Sequence, residues 1–179
     1  MSIQLSPNSS ITLVTEQDIQ SLDSLVNSAY RGESSKKGWT TEADLLDGLR
    51  IDPATLKKLI NEPESVILKY TGDTGLLEGC VYLKQKSNQL YLGMLTVSPN
   101  LQGKGIGKKL LEAAEKHALK IGSHSIIMTV ISVRQELIAW YQRQGYHLTG
   151  TTEPFPTDPK FGLPKQPLVF LVLEKLIHF

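Results

Sequence analysis

The stretch "LTVSPNLQGKGIGKKLLEAAEKHA" (residues 95–118) decides how the rest of the chain is read. It runs from an apolar segment through a turn into a glycine-dense knot, then into a long amphipathic pattern. Pro99 and Asn100 make the turn, and "QGKGIG" (102–107) opens the helix. The first turn of a helix carries unpaired N–H groups and the positive end of the dipole. Gly103, Gly105 and Gly107 have no Cβ, so an anion can approach the backbone closely there. Lys104, Lys108 and Lys109 add charge. Tight helix–strand packing would account for the glycines but not for the lysines. A phosphate or pyrophosphate suits the combination.

Two familiar glycine motifs do not fit. A P-loop places four residues between its first Gly and a Gly-Lys-Ser/Thr, and "GKGIGKK" has neither that spacing nor the hydroxyl. A dinucleotide fingerprint needs G-x-G-x-x-G, and the last position here is Lys108.

Composition limits the alternatives. The chain has 179 residues, 40% hydrophobic and 21% charged, enough to bury a full core. A formal net charge of +1 gives no bulk attraction to nucleic acid or an anionic membrane, so neither is expected as a partner. The lone cysteine, Cys80, excludes a disulfide framework and a cysteine-rich metal site, and in "GCVYL" it reads as a small core residue. His124 and His178 show no metal-ligand spacing, and His117 reads as structural. "MSIQLSPNSS" lacks the features of a secretory signal, and no run approaches the ~18 apolar residues of a membrane span. The expectation is a soluble cytoplasmic protein with a loose tail over residues 1–10 and one domain over 11–179.

"ITLVT" (11–15) reads as a strand. Ile19, Leu22, Leu25, Val26 and Ala29 follow at helical spacing, with Thr15 as cap. "RGESSKKGW" (31–39) reads as a loop, and "TTEADLLDGLR" (40–50) as a short helix capped by Thr40 or Thr41. "DPATLKKLIN" (52–61) reads as another, with Asp52 as cap and Pro53 in the first helical position. "SVILKYT", "LLEGCVYLKQK" and "QLYLGMLTV" (89–97) suggest an antiparallel meander. A helix over about 104–121 and a doubly buried strand "HSIIMTVIS" (124–132) come next. A helix "QELIAWYQRQG" and strands "YHLTGTTE" and "PLVFLVLEKL" complete the pattern, the strands separated by the proline-rich "PFPTDPKFGLPKQP". The order implies a mixed α/β (α+β) sheet with helices on both faces. If "PLVFLVLEKL" were an exposed edge, a homodimer would protect it.

In "SVRQELIAWYQRQGYHLTG" (132–150), Ser132 and Gln135 resemble a capping box and Gly145 a helix stop. Arg134, Ile138 and Tyr141 share one helix face.

Gln102-Gly103-Lys104-Gly105-Ile106-Gly107 resembles the Q/R-x-x-G-x-G/A signature of the GNAT superfamily of N-acetyltransferases, with Val97 and Pro99 in the usual lead-in places. Tyr141, Gly145 and Tyr146 match that family's tyrosine helix and the Gly-aromatic pair after it. Arg134 stands where the family commonly has Asn, and Leu137 where a small residue is common. The resemblance is strongest over about residues 76–150. It implies a mostly antiparallel sheet of about six or seven strands. It also implies an N-acetyltransferase that moves acetyl from acetyl-CoA to a primary amine, on a small molecule or a peptide, by direct attack on the thioester. Gln102 through Lys108 would hold the pyrophosphate, Leu95, Thr96 and Val97 would line the pantetheine and oxyanion path, and Arg134 would pair with a phosphate. Tyr141 would be the general acid.

The strand before the loop has no carboxylate to serve as base. A water chain remains, and Glu42, Glu153 and His147 are candidates that also read as ordinary surface residues. For the acceptor, Trp39, Phe155 and Phe161 offer an apolar wall, and Arg31 and Lys160 a carboxylate site. Two other readings stand beside the enzyme: an acyl-CoA-binding module without turnover, and a nucleotide binder.

Overall fold

The computed structural model describes residues 10–179; the tail expected over 1–10 falls, apart from Ser10, outside the described residues. The strands are β1 (Ile11–Leu13), β2 (Leu46–Asp47), β3 (Ser65–Thr71), β4 (Leu77–Lys86), β5 (Gln89–Val97), β6 (Ser125–Ile131), β7 (His147–Pro154), β8 (Leu163–Pro164) and β9 (Val169–Leu176). The helices are α1 (Ile19–Tyr30), α2 (Gly32–Ser35), α3 (Pro53–Asn61), α4 (Ile106–Ile121) and α5 (Gln135–Arg143). Seven strands form one sheet in the order β1-β3-β4-β5-β6-β9-β7, and β2 pairs separately with β8. Within the large sheet only β5 and β6 run parallel.

Side-chain alternation builds two cores on the two faces of this sheet. Leu68, Val81 and Leu83 face α4 and α5, where Leu110, Leu111, Ala114 and Ile138 meet them. Ile67, Cys80 and Tyr82 face the other way, onto Leu22 and Val26 of α1 and Leu56 of α3. The unbroken apolar run in β4 is therefore a strand with both faces covered. Each fully buried leucine contributes about 1.5–3 kcal/mol relative to exposure. Burial also pushes the Cys80 thiol up to about 12, so it is an inert core group.

One irregularity shapes the molecule. Tyr82 pairs with Gly93, but Cys80 pairs with Thr96, so β5 carries one extra residue. Met94 takes φ +52 at this bulge. The extra residue reverses the facing of everything after it. Leu90 and Leu92 face α4, Met94 faces α1, and Leu95 and Val97 face α4. β5 and β6 pair only through Gln89, Leu90 and Tyr91, then separate toward their C-terminal ends.

Four local expectations change. Residues 40–50 form no helix: one turn closes with Leu45 and Leu46 donating to the Glu42 carbonyl. Gly48 then takes φ +89, and Leu46 and Asp47 pair with β8. The segment read as a loop over 31–39 contains the one-turn α2. No Ser132–Gln135 capping box forms, because α5 starts at Gln135 with Arg134 as its cap, and the Gln135 side chain donates to the Ser132 carbonyl instead. Finally, β9 is no edge: it lies between β6 and β7, so the edge argument for a homodimer does not hold. The edge on that side is β7, "HLTGTTEP", which is exposed along its length and mostly polar.

Tyr146 is fully buried, and its hydroxyl has no hydrogen-bond partner among the described residues. A buried unsatisfied hydroxyl costs about 1–3 kcal/mol. Tyr146→Phe is therefore expected to leave stability unchanged or raise it by about 1 kcal/mol in chemical denaturation. A clear loss of stability would mean that the hydroxyl has a partner.

Candidate active site

The loop after β5 turns through a short 3-10 segment, Pro99–Leu101, and enters α4. Gly103 and Gly105 take φ +83 and +86, and a Cβ at either would meet nothing within 4 Å. Their role is conformational: they turn the chain through left-handed geometry and leave the space before the helix open. Gly107 has a different reason, since a Cβ there would lie 3.3 Å from the Trp140 ring of α5. Gly105 caps α4 without any side-chain hydrogen bond, which leaves the first-turn N–H groups for an outside acceptor.

This loop borders a cavity of about 300 Å³. Leu95, Thr96, Val97, Gln102, Gly103, Gly105, Ile106, Gly107, Lys108 and Arg134, all expected at a cofactor site, line it. Lys104 lies in the same loop but is not part of the lining, and Lys109 turns away to sit 5.4 Å from the Tyr70 ring centre. Gln102 is a pin. Its Nε2 donates to the Val97 carbonyl at 3.2 Å, and its Oε1 accepts from the Trp39 N–H at 2.6 Å.

A second cavity, about 350 Å³, opens where β5 and β6 part. Phe155, Phe161 and Phe170 form apolar wall, with Arg31, Arg50 and Glu153 among the polar lining. The expected wall is thus divided: Trp39 belongs to the glycine-loop cavity, Phe155 and Phe161 to this one. Lys160 pairs with Asp158 at 3.6 Å and lines neither.

Tyr30, Leu95, Arg134, Leu137 and Tyr141 line both cavities. The Tyr141 ring packs edge-on against Trp140 and Tyr146, with centres 5.1 and 5.8 Å away. Burial raises the pKa of its phenol well above 10.0, and the neighbouring Tyr30 and Tyr146 add to the shift. It is a neutral O–H donor at physiological pH, at the junction of the two cavities. Tyr30 donates to the Leu95 carbonyl at 2.6 Å, and Thr96 Oγ1 donates to the Met94 carbonyl at 2.9 Å. The bulge carbonyls are thereby satisfied from within the protein.

Glu42 contradicts its reading as a surface residue. It is buried, with Oε2 2.9 Å from Arg31 Nε and Oε1 3.1 Å from Arg134 Nη1. Arg134 Nη2 also donates to Thr40 Oγ1 at 2.7 Å, and Arg31 donates to the Leu49 and Phe161 carbonyls at 3.3 and 3.1 Å. Arg134 therefore engages a carboxylate of its own chain. Both carboxylate oxygens of Glu42 are thus engaged within the chain, which argues against Glu42 as the base. His147 is exposed on β7 and lines neither cavity; Glu153 lines the second cavity and is exposed. Tyr30 and Arg50 were missed in sequence, the first because it reads as the last core position of an amphipathic helix, the second because its segment reads as a helix end.

The profile of the acetyltransferase (GNAT) family matches residues 20–146. The chain belongs to the GNAT family of acetyltransferases. Solved structures agree on the fold. The ribosomal-protein-S18-alanine N-acetyltransferase of Escherichia coli superposes with a TM-score of 0.70 at 15% identity, covering 94% of each chain. PaiA N-acetyltransferase of Thermoplasma acidophilum, solved with coenzyme A, gives 0.70 at 22% identity, over 93% of this chain and 97% of that one. A ribosomal-protein-alanine N-acetyltransferase of Brucella melitensis gives 0.69 at 20%, over 93% and 99%. Comparison with curated protein sequences finds no significant match. Among the described residues of this acetyltransferase no helix is long and apolar enough to cross a membrane.

Two outcomes follow from the electrostatics of this acetyltransferase. Glu42→Ala strands two buried guanidiniums and is expected to destabilise the fold by about 3–5 kcal/mol in chemical denaturation. The phenols of Tyr30 and Tyr141 are both raised in the folded state, Tyr30 to about 12, mainly by burial. Between the ordinary tyrosine value of about 10 and those raised values, the folded state holds more protons than the unfolded one. Stability is therefore full below pH ~10 and falls as the pH rises through the folded values. Denaturation midpoints should be flat with respect to these groups below that point and drop above it.

Proposed function

We propose that this acetyltransferase moves an acetyl group from acetyl-CoA to a primary amine by direct attack on the thioester, with Tyr141 as the general acid. The observation that carries the reading is the position of Tyr141: neutral, buried, common to both cavities, and without a hydrogen-bond partner for its hydroxyl among the described residues. The residues suit the cosubstrate. Left-handed Gly103 and Gly105 keep a space clear before uncapped α4 N–H groups, and Lys108 stands beside it. Such a cradle takes a pyrophosphate on backbone amides. From it the cavity runs along Leu95 to Val97 toward the second cavity, a path for the pantetheine arm.

Acetyl-CoA supplies an acetyl carbonyl activated as a thioester. The amine enters from the β5–β6 opening. The backbone near Leu95 faces the charge that builds on the carbonyl oxygen, as preorganised N–H groups do in acyl transfer. A C–N bond forms, the C–S bond breaks, and Tyr141 gives its proton to the departing sulfur. The amine's proton leaves by Glu153 or by water, because no other unpaired carboxylate lines this cavity among the described residues. Arg134 serves as a wall of both cavities with its charge already engaged by Glu42. The pathway belongs in the cytoplasm, where acetyl-CoA is available.

Two measurements test this. Acetyl-CoA at about a hundred times its dissociation constant should stabilise the fold by about 2.7 kcal/mol, with ATP and NAD giving no comparable shift. Tyr141→Phe should lower turnover well beyond tenfold, within the 10²–10⁴ range of general acid catalysis, while acetyl-CoA affinity stays the same. Binding without acetyl transfer to any amine would leave a non-catalytic acyl-CoA-binding module as the reading.

A further inference from the structure

The second cavity is more basic than a site for a plain or polycationic amine should be. Arg31, Arg50, Arg134 and Lys86 line it, against two carboxylates, Glu42 and Glu153. Glu42 is one carboxylate shared by two guanidiniums, so that buried group is net positive. Arg134 Nε is buried and has no hydrogen-bond partner among the described residues, in a side chain that is only 6% exposed. Arg50 is half-buried and forms no ion pair among the described residues; its guanidinium lies 5.3 Å from the centre of the Tyr30 ring. Lys86 sits 4.5 Å from the Tyr91 ring centre, also without an ion pair among the described residues. Phe155, Phe161 and Phe170 supply apolar wall between these groups.

We infer that the acceptor is an amine that carries a carboxylate and an apolar body, on the scale of a hydrophobic amino acid, with Arg50 receiving the carboxylate. This rests on the acetyl-transfer reading above. A guanidinium fork matches a carboxylate in a two-bond geometry, and the partly dry wall strengthens the attraction. Position fits as well. Tyr30 carries Arg50 over its ring and donates its hydroxyl to the Leu95 carbonyl. A carboxylate at Arg50 thus lies across the Tyr30 ring from Leu95, which lines both cavities together with Tyr141. The same positive surroundings favour the neutral amine, which is the nucleophile, and this eases the demand on the base.

The test is acetyl transfer to matched pairs: L-phenylalanine against phenethylamine, and L-leucine against isoamylamine, with spermidine as a polycation. Rates are compared per fraction of neutral amine. The carboxylate member of each pair should show a kcat/KM at least tenfold higher, mostly through KM. Arg50→Gln should collapse that ratio toward one, and Arg50→Lys should keep part of it; thermal unfolding of each variant checks folding. Equal rates within the pairs, or preference for spermidine, overturn the inference while leaving acetyl transfer intact. If no amine turns over, product binding decides. N-acetyl-L-phenylalanine should stabilise the wild type more than N-acetylphenethylamine does, and Arg50→Gln should erase the difference. No such preference overturns the inference, whereas failure of acetyl-CoA itself to bind overturns the acetyl-transfer reading instead.

Discussion

Both cavities depend on the carboxylate of Glu42. It ties Arg31, at the end of α1, to Arg134, at the cap of α5. Arg31 reaches on to the carbonyls of Leu49 and Phe161, so one carboxylate anchors four separate segments. A buried ion pair of this kind is weak evidence for stability, because apolar residues of similar volume often do as well. Its value lies in geometry. The segments it joins, around residues 40–50 and 154–167, share only the two-residue pairing of β2 and β8 as regular structure. Apolar contacts would let them slide; directional charged hydrogen bonds fix them. Gly162, at φ +109, lets the second segment approach Arg31, since a Cβ there would lie 2.4 Å from its Nη1.

The bulge in β5 is the matching constraint on the sheet side. One extra residue turns Leu95 and Val97 onto the α4 face and carries the strand away from β6. The strain of Met94 at φ +52 is held by hydrogen bonds to the bulge carbonyls from Thr96 and, at Leu95, from Tyr30. Without the separation the parallel pair would continue and the second cavity would close. The same Tyr30 that supports the bulge lines both cavities, so the support of the strand and the wall of the site are one side chain.

What the sequence made legible follows the range of the interactions. The meander, the glycine-opened helix and the Tyr141 helix are written in local periodicity and turn residues, and they stand where the spacing puts them. The glycine loop was legible for the same reason, although the close approach of Trp140 to Gly107 was not. Residues 40–50 misled because Ala43 and Leu46 mimic a helix face while Gly48 and a distant strand impose another path. Glu42 misled for a related reason. Its partners are 11 and 92 residues away, and a charged residue in a polar segment gives no local sign of burial. The β9 edge failed because strand order in a sheet is not a local property: β7 precedes β9 in the chain yet covers it from outside.

The short segment from Trp39 to Glu42 shows how the two cavities are mechanically joined. Trp39 gives its N–H to Gln102 of the glycine loop, and Gly38 approaches the same amide so closely that a Cβ would lie 2.6 Å from it. Thr40 accepts from Arg134 and donates to Glu136 of α5. Glu42 then reaches both arginines. Within four residues, Trp39, Thr40 and Glu42 therefore contact the loop at one cavity and the charged wall of the other. Gln102 holds Trp39 with one end of its amide and the Val97 carbonyl with the other, which links this segment to the glycine loop. Thr40 and Glu42 carry that link on to the arginines that line the second cavity.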